Sequence, residues 1–165
     1  MGNPAGPQRH DASTAGVIAR PPVLFLAGLL LGIALDWLLP LAFSAPGGLW
    51  VSSTVGGALI VIGLALAAFG IGSFTRASTP VPTNEPTRAL VTTGVHGWSR
   101  NPIYVGLFLV YWGIAMAARS PWALILTVPL AITIRYGVVA REEAYLERLF
   151  GDSYRNYTAR VRRWL

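Results

Sequence analysis

Residues 51–74 run for 24 positions without a charged side chain. A chain with such a stretch has few places to put it, since a membrane-spanning helix needs about 20 apolar residues, within a range of ~17–25. Three more runs follow the same pattern. Residues 23–43 carry one charge, Asp36; residues 103–118 carry none; residues 121–140 carry Arg135 near their end. In lipid the backbone must satisfy its own hydrogen bonds, and unbroken apolar runs do so as helices. Composition agrees, with 12% charged residues where about 25% is usual. This excludes an ordinary water-soluble globule, and a chain this apolar is not disordered. The sequence contains no Cys, hence no disulfide framework, Cys-based zinc site or thiol nucleophile. Its two His, His10 and His96, do not make a metal site on their own, so no metal is expected.

The expected fold is all-α: a polytopic membrane protein with four transmembrane helices, then amphipathic cytoplasmic helices at the C-terminal end. Residues 1–22, rich in Pro, Gly and polar groups, read as a mobile tail, and residues 23–165 as one domain. Pro121 suits the first turn of a helix, and Pro129 within the fourth run predicts a kink. The third run, the shortest, is expected to extend past Ala118. All 13 basic residues are Arg. With four spans, the tail, the connection 75–102 and the C-terminal region share one side, and twelve of the 13 Arg fall there. That side is expected to be cytoplasmic, with both ends of the chain on it. An all-Arg basic set points to a GC-rich bacterial gene, and so to the cell inner membrane. Charge placed at a membrane surface accounts for the basic balance, so nucleic acid is not an expected partner. Gly28 and Gly32 form a small-xxx-small pair suited to close packing within the chain. Asp36 is either a functional group inside a span or a structural one near its outer end.

Chemistry is expected in two places. The 28-residue connection 75–102 is too long for a plain turn. It holds Leu90-Val91-Thr92-Thr93-Gly94-Val95-His96-Gly97-Trp98-Ser99-Arg100-Asn101-Pro102. Gly94 and Gly97 allow close backbone approach to a ligand. Arg100 stands beside the N-terminus of the third span, where it can grip a carboxylate. The same residues also suit a plain basic membrane-surface loop. The second place is Arg141-Glu142-Glu143-Ala144-Tyr145-Leu146-Glu147-Arg148, running on from the fourth span. Its acids either enter the bundle or sit on a solvated face with Arg partners. Leu146, Leu149 and Phe150 give this helix an apolar stripe. Gly151 ends it, and Asp152 or Ser153 is expected to cap a second one carrying Tyr154, Tyr157, Val161 and Trp164.

Five pieces in order resemble one family. They are Leu90-Val91-Thr92-Thr93-Gly94; Arg100-Asn101-Pro102-Ile103-Tyr104-Val105-Gly106; Glu142-Glu143-Ala144-Tyr145-Leu146; Phe150-Gly151-Asp152-Ser153-Tyr154-Arg155-Asn156-Tyr157; and Arg163-Trp164. The set is similar to the isoprenylcysteine carboxyl methyltransferase / phospholipid methyltransferase family, over roughly residues 75–165. The resemblance implies an integral membrane enzyme using S-adenosylmethionine, held between the third and fourth spans under the loop and the C-terminal helices. It further implies cofactor contacts from Leu90, Val91, Gly94, His96, Arg100, Asn101, Tyr104, Glu142 and Glu143, with Arg100, Asn101 and Glu142 nearest the chemistry. Trp98, Tyr104 and Leu90 are expected to wall an adenine slot. The family often has Pro-Tyr-Arg after the loop glycine, where this chain has Val95-His96-Gly97, so His96 either touches the cofactor or packs beside it. The expected acceptor is lipophilic and enters from the bilayer; the oligomeric state is not legible. Two other readings stand beside this one: a sterol-reductase-like membrane protein binding a nicotinamide cofactor, and a non-catalytic four-helix membrane protein.

Overall fold

The computed structural model describes residues 15–42, 48–81 and 86–165. The remaining residues lie outside it, and with them most of the expected tail, the end of the first run and part of the long connection. The described residues form helices without strands. They are α1 (Pro21–Leu38), α2 (Gly48–Arg76), a 3-10 turn (Gly94–Gly97), α3 (Pro102–Ala117), α4 (Pro121–Ile132), a π-helical segment (Thr133–Val139), α5 (Ala140–Phe150) and α6 (Asp152–Arg160). Prolines at the first positions start α1, α3 and α4, where a missing N–H costs no intrahelical bond.

Three helices are long and apolar enough to cross a membrane: α1, α2 and the continuous helix Pro121–Phe150. The third run is different. Helix α3 has 16 residues, about 24 Å at 1.5 Å per residue, against a hydrocarbon core of ~30 Å. It does not extend past Ala118. Arg119 adopts a left-handed φ of 54°, and Pro121 begins the next helix two residues later.

Helices α2 and α3 pack antiparallel along glycines seven residues apart. A Cβ built on Gly63 would lie 2.5 Å from the Gly106 carbonyl oxygen, and one on Gly56 2.7 Å from that of Gly113. A seven-residue spacing keeps one face of each helix on the seam, so the backbones touch where side chains would hold them apart. The Gly28/Gly32 pair is likewise spent within the chain: Gly28 meets Tyr111, and a Cβ on Gly32 would fall 2.6 Å from Ala123 Cα.

The core joins Phe25 of α1, Tyr104, Phe108, Tyr111 and Ala115 of α3, Ala123 and Leu130 of α4, and Ile134, Val138 and Val139 of the π segment. Asp36 accepts the Trp122 N–H at 3.4 Å, so its carboxylate faces the first turn of α4, where a negative charge is favoured. This is the structural role. Distortion in the fourth run falls just beyond Pro129, whose carbonyl accepts the Thr133 hydroxyl at 2.9 Å; there the helix widens into the π segment.

Residues 15–20, placed in the tail by composition, pack on the bundle. The Ile18 N–H donates to Gly137 O at 3.4 Å, and Arg141 Nη1 donates to Gly16 O at 2.7 Å. At the other end, Gly151 takes a φ of +52°, open to glycine, and turns α5 into α6. Neither Asp152 nor Ser153 caps that helix: the cap position is Gly151, and Asp152 is already the first helical residue. Val161 is extended and Trp164 lies beyond the helix, so α6 carries only the two tyrosines of the expected four.

Candidate functional site

A cavity of about 490 Å³ opens where the end of α2, the start of α3, α5 and α6 meet under the connecting loop. That volume lies within the ~300–1,000 Å³ of small-molecule sites. Its walls include Phe74, Leu90, Val91, His96, Arg100, Asn101, Tyr104, Leu107, Glu142, Glu143, Tyr154 and Tyr157. Eight of the nine residues singled out from the sequence therefore share one cavity. The ninth, Gly94, is not on its wall; it begins the 3-10 turn with φ +62° beside Ser73. No residue of α4 lines the cavity. The expected position between the third and fourth spans is corrected: the fourth run contributes only through its continuation, α5. Trp98 is also corrected. It is 84% exposed, because it ends a tight turn whose inward residue is His96.

The two neighbouring acids have different environments. Glu142 is buried and accepts the Tyr104 hydroxyl at 2.7 Å. Glu143 sits between two guanidinium groups, 3.2 Å from Arg100 Nη2 and 2.9 Å from Arg163 Nε. A carboxylate taken out of water needs such partners. Consecutive residues on a helix point about 100° apart, so one acid faces α3 and the other the chain beyond α6. The hydrogen bond to Glu143 raises the Arg163 pKa. Burial, and then Glu143, push the Tyr154 hydroxyl up to about 12, partly opposed by Arg100. Burial also raises Tyr157.

The residues after α6 are tied to the start of α3. The Arg100 N–H donates to Arg162 O at 2.9 Å, and Asn101 Nδ2 donates to Arg163 O at 2.9 Å. Asn101 thus uses its side chain to fix the segment that brings Arg163 to Glu143. The loop is held from the opposite side. The Tyr157 hydroxyl donates to His96 O at 2.7 Å, and the Thr87 N–H donates to the Tyr145 hydroxyl at 3.0 Å. His96 stacks edge-to-face on Phe74, with centroids 4.9 Å apart. Burial lowers its pKa to about 4, so the imidazole is neutral at physiological pH.

Three cavity residues each keep a buried polar atom without a partner in the protein: Thr87 Oγ1, His96 Nδ1 and Arg100 Nε. Buried polar groups in native proteins are nearly always paired, with protein or water, so these three give the cavity hydrogen-bonding capacity that the chain itself does not use. Among the described residues no group of His, Asp and Glu is arranged to hold a metal ion. Sequence reading missed several walls: Arg20, Pro21 and Pro22 before and at the start of α1, Ile71 and Phe74 near the end of α2, and Thr87. Tyr154, Tyr157 and Arg163 stand in the motif pattern, but the sequence alone places the two tyrosines on an amphipathic helix and gives no partner for Arg163.

The fold and site define an integral membrane protein with a ligand cavity at one end of its helices. A profile of the phospholipid methyltransferase family matches residues 51–153, and the chain belongs to that family. Protein-S-isoprenylcysteine O-methyltransferases of Schizosaccharomyces pombe and Saccharomyces cerevisiae are similar, at 35% identity over 72 residues and 31% over 77. These matches span 44% and 47% of this chain but only 30% and 32% of the yeast enzymes. An uncharacterized protein of Haemophilus influenzae is 39% identical over 59 residues, which is 36% of this chain and 90% of that protein. No solved structure matches the chain. The family is one of methyltransferases, and the two yeast relatives are O-methyltransferases.

Proposed function

We propose that the chain binds S-adenosylmethionine in the 490 Å³ cavity and methylates a lipophilic acceptor that arrives from the bilayer. One observation carries the reading: the unpaired atoms of Thr87, His96 and Arg100 share a cavity with the buried acid Glu142 and the ion pair of Glu143 with Arg100, inside the family match. The residues fit the group. Arg100 would hold the donor's carboxylate, exchanging part of its contact with Glu143 for it, and Glu143 would take the ammonium. Glu142, already positioned by Tyr104, would accept ribose hydroxyls. Phe74, Leu90, Val91 and Leu107 supply apolar wall for the adenine. Thr87 Oγ1 and His96 Nδ1 offer the ring hydrogen-bond partners.

When bound, the donor supplies a methyl group on an already electrophilic sulfonium. The chain's work is then to orient donor and acceptor and to exclude water, with little acid–base machinery. Neutral His96 suits this, because it adds no positive charge beside a cationic ligand. Asn101 and Tyr104 act as positioning residues, the first by tying down the segment that carries Arg163, the second by fixing Glu142.

In the membrane arrangement that goes with this reading, α3 is a fourth, short span, and both ends of the chain are cytoplasmic in the inner membrane. The distribution of Arg supports it. Reporter fusions at Gly47 and at the C-terminus are expected on opposite sides of the membrane. Calorimetry on detergent-purified protein tests the cofactor: S-adenosylhomocysteine should bind and NADPH should not. Binding of NADPH alone would replace this reading with a reductase, and binding of neither would remove the catalytic one.

A further inference from the structure

A second concavity lies on the outer side of the α3–α4 hairpin, away from the cofactor cavity and sharing no wall residue with it. It measures about 520 Å³ and is lined by Phe108, Trp112, Ile132, Tyr136 and Trp164 among others. The one charged side chain on its wall is Arg135. Arg135 Nη1 is buried without a hydrogen-bond partner, and Arg135 makes no ion pair among the described residues. Every described side-chain carboxylate is engaged elsewhere: Asp36 with Trp122, Glu142 with Tyr104, Glu143 with Arg100 and Arg163, and Glu147 and Asp152 with Arg155; the main-chain carboxylate of Leu165, on the same wall, makes no ion pair with Arg135. The guanidinium rests 5.1 Å from the Tyr136 ring centroid. It lies on the π segment, seven residues before Glu142, about 10 Å further along the helix.

A cation at that depth in an apolar helix is costly unless an anion meets it. We propose that this groove holds one anionic phospholipid of the surrounding bilayer, with its acyl chain along the α3–α4 wall and its phosphate on Arg135. Charge complementarity selects the occupant. A zwitterionic headgroup brings its own ammonium toward the guanidinium, whereas an anionic one does not, and basic pockets between membrane helices take such headgroups. Because the groove and the cavity have no wall in common, the bound lipid is a resident of the protein and not its methyl acceptor. The inference is independent of what the cavity binds.

The test uses the full chain in phosphatidylcholine discs, with brominated phosphatidylglycerol or brominated phosphatidylcholine titrated in. Tryptophan fluorescence is read on a chain in which Trp37, Trp50, Trp98 and Trp122 are changed to Phe, so that Trp112 and Trp164 report the groove. Phosphatidylglycerol is expected to quench at about fivefold lower mole fraction. Arg135→Gln should remove that preference, and Arg135→Lys should keep most of it. The parent comparison stands even where Arg135→Gln does not fold. Equal quenching by the two lipids in the parent overturns the proposal, as does a folded Arg135→Gln protein with its preference intact. A methylated phosphatidylglycerol product that depends on Arg135 would also overturn it, since the occupant would then be the acceptor.

Discussion

The two ends of the α3 hairpin treat polar groups in opposite ways. At the Arg119 end the polar groups of the described residues have protein partners nearby. Ser120 Oγ accepts the Ala123 N–H at 3.1 Å, the Tyr111 hydroxyl donates to Ala123 O at 2.7 Å, and Asp36 accepts from Trp122. At the Pro102 end the charged side chains are paired, yet Thr87 Oγ1, His96 Nδ1 and Arg100 Nε are buried and unpaired. Unsatisfied groups cost about 1–3 kcal/mol each. The contrast supports the proposed reading, in which a ligand completes the open end and the closed end serves stability.

Substitutions can break that contrast. The largest effect is expected at Arg100. Arg100→Ala should weaken S-adenosylhomocysteine by about 100-fold or more, from the loss of a charge-assisted bond to the ligand and of one of the two guanidinium groups that hold Glu143. Arg100→Lys should fall between Ala and the parent, keeping the charge without the planar fork. Isothermal titration reads both. Next come the two acids. Glu142→Gln and Glu143→Gln should each weaken the same ligand by roughly 1.5–3 kcal/mol. Glu147→Gln, which alters only an exposed pair with Arg155, should stay within about 1 kcal/mol of the parent. Equal affinities for the three variants would take the neighbouring acids out of the site.

At the closed end the readout changes. Ser120→Ala removes a helix cap and should cost about 1 kcal/mol of stability, seen as a lower unfolding temperature with ligand affinity unchanged. A loss of affinity there would erase the distinction between the ends. The last effect is confined to acid pH. Burial puts the folded His96 pKa at about 4, below the unfolded value near 6.5. Between those values the unfolded chain binds the extra proton, so stability should fall as pH drops from 6.5 toward 4. Above pH 7 His96 should contribute no slope. His96→Phe should flatten the acid limb of a melting-temperature profile, and an unchanged limb would assign it to other groups.

Much of this molecule was legible because membrane helices are written in consecutive residues. The four apolar runs located the helices, and Pro102 and Pro121 marked two of their starts. The cavity was half legible. Its residues from the loop, α3 and α5 stand in short motifs, whereas Arg20, Phe74 and Thr87 reach it by folding alone and carry no local signature. Trp98 and His96 are two positions apart in one tight turn, and only the turn's geometry decides which points inward. The split between Glu142 and Glu143 needed the partners: Arg163 lies 20 residues beyond Glu143, brought back by hydrogen bonds that Asn101 and Arg100 make. The π segment was signalled only indirectly, by Pro129, and the packing of residues 15–20 on Gly137 was not signalled at all.

The central claim is that the open end is completed by a methyl donor, and an experimental structure of the full chain with S-adenosylhomocysteine tests it most directly. The account predicts the ligand in the cavity beneath the loop, with polar atoms within hydrogen-bond distance of Thr87 Oγ1, His96 Nδ1 and Arg100 Nε. Ligand found elsewhere, or ligand in the cavity with all three atoms still unpaired, would contradict it.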